Sequence, residues 1–468
     1  MLRNLNRDSL RCALCLGGFV GWTMTVMYIC EKSLELYGTS SLYAVTNIIF
    51  GGALLLTLAV LLMLMFHLDF EGLLGHRYFR VVPAVLMAES GLALAFTNAD
   101  SFSVYAVITG ICAAFGALAV FSSLLRVRVS QRLFAVAAGT AIGGAVRLAD
   151  HVIYSHMDMT RGVYALAILS GVLALLTVRS SGFSKEEMPI ISYSEASHKT
   201  LLRNLPAAYF LLAAFGGLYN FCLGQIAAHG AELYAPVFRG YILYTYLPYI
   251  AVALIAALFV KFHNVTPLFI FGVCLLSYSA IMLYLPYFSR AEESVFLICF
   301  FVGQCCFGIF AYLFIIAFSM DRQHPMFYAI FGYACAIAAQ LGANVFNLLF
   351  PSQRKEVLLV VLAVLLVISA PVIWFLLKKH GLTQESFELH NALRGEIAAT
   401  AERLSLSDRE KYMLELVVLG GYTAEQLPDK MMLSRNTVRA QSRNLLQKLE
   451  VETISDLRPF FEARLSQS

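Results

Sequence analysis

Most of the chain alternates between long apolar stretches and short polar turns, and the chain ends in a polar segment. Twelve stretches before residue 380 are mostly apolar and about 20 residues long, the length a helix needs to cross a bilayer. They cover residues 9–30, 41–66, 80–98, 102–125, 133–154, 161–178, 204–228, 237–260, 266–288, 293–319, 326–350 and 356–378. The pattern predicts an all-α polytopic membrane protein with twelve transmembrane helices and a separate polar tail.

The longest polar interruption among these stretches covers residues 179–203 and separates six predicted spans from six others. The spans therefore form halves 1–178 and 204–379 of one membrane domain, 1–379. Residues 380–403 are expected to be a linker, read either as a short signalling helix or, in preference, as a spacer with partial helix. Residues 404–468 form the expected C-terminal domain.

Lysine and arginine are distributed unevenly between the loops on the two sides of the predicted spans. The loops on the side of the N-terminus hold most of them, among them Arg77, Arg126, Arg179 and Lys378. Because cytoplasmic loops carry an excess of these residues, both termini, the middle loop and the polar tail are expected in the cytoplasm.

Composition agrees with a membrane protein, since 59% of residues are hydrophobic and 14% charged, against about 25% charged in soluble domains. The ten cysteines all precede the tail, and their positions in apolar segments favour packing roles. We find no metal-ligand spacing, no phosphate-binding loop and no nucleophile with a plausible base. The sequence predicts no catalytic site, no metal, no cofactor and no enzyme.

Two ionisable residues inside predicted spans are candidates for a ligand site, because charge at bilayer depth is costly unless it is paired or hydrated. Glu89 and Arg147 are expected either to face a central pocket and bind a polar ligand or to form a structural ion pair. Tyr219, Asn220 and Tyr244 are further candidates for an aromatic, hydrogen-bonding pocket, although tyrosine is also common at membrane interfaces. A Gly139-x-x-x-Gly143 spacing predicts close helix packing.

The polar tail carries three helix-start signals. Ser407 precedes an acidic first turn, Thr423 precedes a second predicted helix, and Ser434 precedes a third that runs to about Leu449. On the third helix an apolar face is formed by Val438, Leu445 and Leu449. Arginines at spacings of four form another face, and they are Arg435, Arg439 and Arg443. A cationic face opposite an apolar one is typical of a DNA-recognition helix, although alone it also describes a solvated surface.

This stretch resembles the LuxR-type helix-turn-helix family over about 50 residues. The matching residues are Leu406, Arg409, Glu410, Leu414, Leu416, Gly420, Leu433, Ser434, Thr437, Val438, Asn444, Lys448, Leu449 and Val451. The resemblance implies base contacts from Arg439, Ala440 and Arg443 and phosphate contacts from Thr423, Thr437 and Lys448. Arg435 and Asn436 complete the expected DNA-binding set. The segment after Val451 corresponds to a helix that often dimerises such domains, so a homodimer on double-stranded DNA is expected.

The tail departs from that family at three positions. Gln441 stands where histidine is usual, and Tyr422 replaces a small turn residue. Pro428 replaces alanine, and a proline at the fifth position of the predicted second helix kinks a helix, so this helix is expected to be short or bent.

The predicted six-plus-six arrangement resembles the major facilitator superfamily. A loop motif of that family is matched only in part between residues 72 and 80, with His76 at its acidic position. The two resemblances together imply a regulator in a bacterial cell membrane that senses a small molecule and binds promoter DNA. A transporter with a regulatory DNA-binding tail and a plain transporter with an interaction module remain alternatives.

Overall fold

A computed structural model describes most of the helical chain. The described residues are 7–36, 43–65, 77–96, 98, 101–127, 129–181, 209, 217, 242–259, 266–282, 290–320, 325–349, 384–419, 422–431 and 433–467. No strand occurs among them. The chain divides into two compact units, Met1–Leu376 and Leu377–Ser468.

The first unit consists of long apolar helices, and each predicted span that falls in its described part corresponds to one of them. They are α1 (Arg7–Leu36), α2 (Tyr43–Leu64), α3 (Arg77–Phe96), α4 (Phe102–Arg126), α5 (Val129–Ser155), α6 (Met159–Ser180), α7 (Ile242–Phe259), α8 (Thr266–Met282), α9 (Arg290–Met320) and α10 (Pro325–Leu349). The predicted spans 204–228 and 356–378, apart from residues 209 and 217, lie outside the described residues, as does most of the loop motif at 72–80.

Seven helices in the described part are long and apolar enough to cross a membrane. Two shorter apolar helices, Val81–Phe96 and Tyr246–Phe259, accompany them. The chain is thus an all-helical protein with membrane-spanning character, while the number of twelve spans stays a prediction.

Close packing of α1 against α5 depends on glycine. A Cβ atom at Gly139 would lie 2.9 Å from the Cβ of Leu16, and one at Gly143 would lie 2.5 Å from a methyl carbon of Val20. Since real Cβ atoms do not approach so closely, both positions require glycine for the two helices to touch. The helix contact predicted from the Gly139–Gly143 spacing is confirmed.

The second unit is a small helical domain with its own hydrophobic core. It contains α11 (Gln384–Arg403), α12 (Asp408–Val418), α13 (Leu427–Met431), α14 (Arg435–Leu449) and α15 (Leu457–Gln467), the last preceded by a 3-10 turn at Ile454–Asp456. The fully buried core side chains come from every one of these helices: Leu393, Ile397, Met413, Leu414, Val417, Val418, Leu427, Val438, Leu445, Leu449, Leu457 and Phe461.

Residues 384–403 differ from the expected spacer. They form the continuous helix α11, whose Leu393 and Ile397 are 2% and 0% exposed in the core of the second unit. Glu396 of the same helix forms an ion pair with Arg464 of α15, 3.4 Å away. The apolar spacing of α11 is therefore used for tertiary packing, which the weak local signal of this segment did not reveal.

Helix starts in the second unit follow the predicted caps in two of three cases. The Ser407 side chain accepts a hydrogen bond from the Glu410 backbone, and the Glu410 carboxylate accepts one from the Ser407 backbone, a complete capping box. Ser434 accepts from the Thr437 backbone and starts α14, which ends at Leu449 before Glu450 in the left-handed conformation. Both predictions are confirmed.

The third predicted cap is wrong, because α13 begins four residues after Thr423. Residues 424–426 form a turn in which the Thr423 carbonyl accepts from the backbones of Gln426 and Leu427, at 2.9 and 3.2 Å. Pro428 is consequently the second residue of a five-residue helix. Of the two outcomes expected from the proline, a short or a bent helix, the structure has the short one, and a first-turn proline lacks only a backbone N–H that has no partner within the helix.

Candidate nucleic-acid interface

Helix α14 presents two chemically different faces. Its buried residues are Val438, Ser442, Leu445 and Leu449, and the Ser442 hydroxyl donates to the Val438 carbonyl at 2.8 Å. The three apolar members pack into the domain core. This face fixes the rotation of the helix about its axis and decides which side chains point outward.

The outward face carries most of the predicted DNA-contacting residues. Exposed side chains on α14 include Arg435, Asn436, Thr437, Arg439, Ala440 and Arg443. No ion pair involves the three arginines within the part of the chain that the structure describes. Their charges are thus free to meet an anionic surface, and the four-residue spacing aligns them along one side of the helix.

The two threonines expected to face phosphates are also exposed. Thr437 shares a hydrogen bond between hydroxyls with Ser434 at 2.8 Å, at the N-terminus of α14. The Thr423 backbone N–H donates to the Gln426 side chain at 3.1 Å. Thr423 thus lies in the turn before α13, and Thr437 lies in the first turn of α14.

Lys448 differs from the other predicted contacts because the fold already gives its charge a partner. Its ammonium lies 2.8 Å from the Glu410 carboxylate, which is largely buried. Burial by itself would raise the pKa of Glu410, but hydrogen bonds from Lys448 and from the backbone and hydroxyl of Ser407 outweigh it and lower that pKa. Lys448 therefore ties α14 to the start of α12, and its phosphate contact stays a prediction.

Tyr422 and Gln441, the two other departures from the family, are both at least partly buried. Lys430 lies 4.9 Å from the ring centre of Tyr422, a cation–π distance, and Tyr422 packs against the core. Gln441 is partly buried, and its side-chain oxygen has no hydrogen-bond partner. Tyr422 thus serves as a packing residue after α12.

Of the candidate ligand residues in the first unit, the structure describes the side chains of Glu89 and Arg147. Glu89 is exposed on α3, and no ion pair joins it to Arg147. Arg147 lies on α5, with its guanidinium carbon 3.9 Å from the ring centre of Tyr28. Tyr219 and Asn220 lie outside the described residues, as does the side chain of Tyr244. The structural ion pair weighed as an alternative for Glu89 and Arg147 is therefore absent between these two residues.

The sequence of the second unit matches a known family. Residues 404–459 match the family described as bacterial regulatory proteins, luxR family. This segment is a LuxR-type helix-turn-helix domain. The match covers α12, α13 and α14 and ends inside α15, and it leaves α11 as an addition before the family's domain.

Solved structures identify the fold of the remainder. A bacterial homologue of the iron transporter ferroportin, in an outward-facing state, is 15% identical with a TM-score of 0.56, over 80% of this chain and 100% of its own. The major facilitator proton:xylose symporter XylE is 14% identical with a TM-score of 0.55, over 78% and 94%. The human organic anion transporter MFSD10 is 11% identical with a TM-score of 0.53, over 78% and 99%.

These structures show the major facilitator fold, and at such identities they show the fold alone. No curated protein matches the chain. The LuxR-type domain is therefore fused to a membrane region with the fold of major facilitator transporters, as both resemblances in the sequence predicted.

Proposed function

We propose that this protein is a membrane-embedded one-component transcriptional regulator. In it the membrane domain senses a small molecule, and the LuxR-type domain binds promoter DNA. The observation that carries the proposal is the exposed arginine face of α14, which forms no ion pair with any described residue, in a LuxR-type domain fused to a major facilitator fold. The boundaries proposed from the sequence place the membrane domain at 1–379 and the DNA-binding domain at 404–468, to which α11 contributes core residues.

DNA contact is assigned to the outward face of α14 and the turns beside it. Arg439, Ala440 and Arg443 read base edges, while Arg435, Asn436, Thr437 and Thr423 position the helix on the backbone. The domain acts as a homodimer on two half-sites, as helix-turn-helix proteins do. The excess of lysine and arginine in the loops on one side of the predicted spans supports a location of this domain on the cytoplasmic side of a bacterial cell membrane.

Replacing Arg439 and Arg443 by alanine tests the regulatory role. Each arginine that contacts a base contributes about 1–3 kcal/mol of discrimination, so the double variant should lose promoter regulation while still entering the membrane. Arg458→Ala is the matched control, since Arg458 is an exposed arginine on α15, paired with Glu462 at 2.9 Å. Unchanged regulation in the double variant would contradict the proposal, and loss in the control would trace the effect to total charge.

A transporter that also regulates is the second candidate, and it is supported by the similar structures, which are transporters or a transporter homologue. Uptake by the purified protein in proteoliposomes separates the two. Gradient-driven accumulation of the ligand that controls the promoter would establish transport, whereas ligand binding without flux agrees with a sensor.

A further inference from the structure

Arg147 of the first unit has a guanidinium nitrogen without a partner in the part of the chain that the structure describes. Its Nη1 nitrogen is buried and has no hydrogen-bond partner, and no carboxylate of the described residues forms an ion pair with it. The guanidinium stacks on Tyr28, 3.9 Å from the ring centre. Because guanidinium N–H groups lie in the plane of the group, stacking on a ring leaves them free to donate.

The nearby carboxylate on the same helix does not satisfy this donor. Asp150 is 0% exposed, and both its oxygens lie 3.1 Å from the Thr25 hydroxyl of α1. No ion pair between Asp150 and Arg147 occurs among the described residues, and the hydrogen-bond partner of the Asp150 carboxylate is the Thr25 hydroxyl. A buried donor left unpaired costs free energy, and native structures satisfy such groups with protein, water or ligand.

We propose that Arg147 binds the carboxylate of a small organic anion, held beside α5 in the region where that helix packs against α1 and α7. A carboxylate oxygen supplies the charged acceptor that Nη1 lacks, and such charge-assisted hydrogen bonds are among the strongest in proteins. The surroundings include an aromatic ring, because the guanidinium lies over Tyr28, 3.9 Å from its centre. The rings of Tyr246 and Tyr249 on α7 have centres 6.1 Å apart, and Tyr249 lies against Gly144, one turn before Arg147. These aromatic neighbours favour a carboxylate that carries a ring.

The position of Arg147 connects the ligand to both halves of the membrane domain. One turn before it, a Cβ atom at Gly144 would lie 2.7 Å from the ring of Tyr249 on α7, so α5 and α7 are in close contact there. Tyr249 is followed along α7 by Ile250, which also lies against Gly144. An anion at Arg147 therefore contacts the junction between the halves, and its role as the sensed ligand rests on the proposed regulatory function.

Binding of simple probes to the purified full-length protein in detergent tests this site. Benzoate is compared with benzamide, which has the same ring and no charge, by isothermal titration and by the shift in melting temperature. Wild-type protein should bind benzoate at least about 10-fold more tightly than benzamide. Acetate, a carboxylate without a ring, should bind more weakly than benzoate.

Variants of the arginine locate the binding. Arg147→Gln should weaken benzoate binding about 10- to 100-fold, and Arg147→Lys should retain part of it because the charge remains. Arg161→Gln is the matched control, since Arg161 is exposed on α6 and paired with Asp158 at 3.2 Å. It should bind benzoate as the wild type does.

Equal affinity for benzoate and benzamide in the wild type overturns the proposal without requiring any variant to fold. Undiminished benzoate binding by Arg147→Gln overturns it as well, and so does the absence of benzoate binding by the wild type at millimolar concentration. Failure here leaves the regulatory proposal standing if the Arg439 and Arg443 double variant still loses promoter control. If the double variant instead keeps promoter control, the regulatory proposal fails, and benzoate binding at Arg147 then supports the transporter alternative.

Discussion

Truncating Ile397 to alanine examines whether α11 belongs to the DNA-binding unit. Ile397 is 0% exposed and lies in the same core as Met413, Leu445 and Phe461. Replacing a fully buried isoleucine by alanine costs about 2–5 kcal/mol, because apolar contacts are lost and a cavity is left. Domains of this size are stable by roughly 5–10 kcal/mol, so the loss is a large part of the total.

The measurement is urea unfolding of residues 377–468, followed by circular dichroism. With a slope of about 1 kcal/mol per molar urea, the midpoint should fall by about 2 M or more at an unchanged slope. Ile397→Val, which removes one carbon, should cost only about 0.5–1.5 kcal/mol. Glu402→Ala, at an exposed position of the same helix, should stay within about 0.5 kcal/mol of the wild type.

A midpoint for Ile397→Ala equal to that of Glu402→Ala would refute the reasoning. It would mean that α11 is the spacer favoured by the sequence and contributes nothing to the core. A confirmed loss would mean that the chain leaving the last predicted span enters the DNA-binding unit through a helix packed into its core. A displacement of that helix then acts directly on the domain.

Three further outcomes follow from the second unit. Glu410→Gln should lower stability at neutral pH and remove part of the acid sensitivity of urea unfolding. The lowered pKa of Glu410 contributes stability that is fully present above its unfolded-state pKa of about 4.3. This stability is lost as the pH falls through the folded-state pKa. Lys448→Met should reduce the melting temperature, because the ion pair with Glu410 is lost, and should lower the salt slope of DNA binding by about one, as the predicted phosphate contact requires; an unchanged slope would contradict that contact. Pro428→Ala should change the unfolding free energy by less than about 1 kcal/mol, and a gain near 3 kcal/mol would show that the proline strains α13.

The sequence by itself predicts those features that depend on contacts between residues close together in the chain. The apolar stretches predicted helices because a bilayer selects for length and hydrophobicity along one segment. Ser407 and Ser434 predicted helix starts because capping is a contact within three residues. The exposed arginine face of α14 followed from the apolar spacing of the same helix, since burying one face exposes the other.

Contacts between distant segments were decided only by the tertiary structure. The ion pair between Lys448 and Glu410 joins residues 38 positions apart, and the sequence could not show that this lysine has a partner inside the domain. Nor could it show that Asp150 accepts from Thr25, 125 positions away, or that the guanidinium of Arg147 lies over the ring of Tyr28. The burial of α11 has the same origin: a weak apolar spacing becomes a core face only when other helices lie against it.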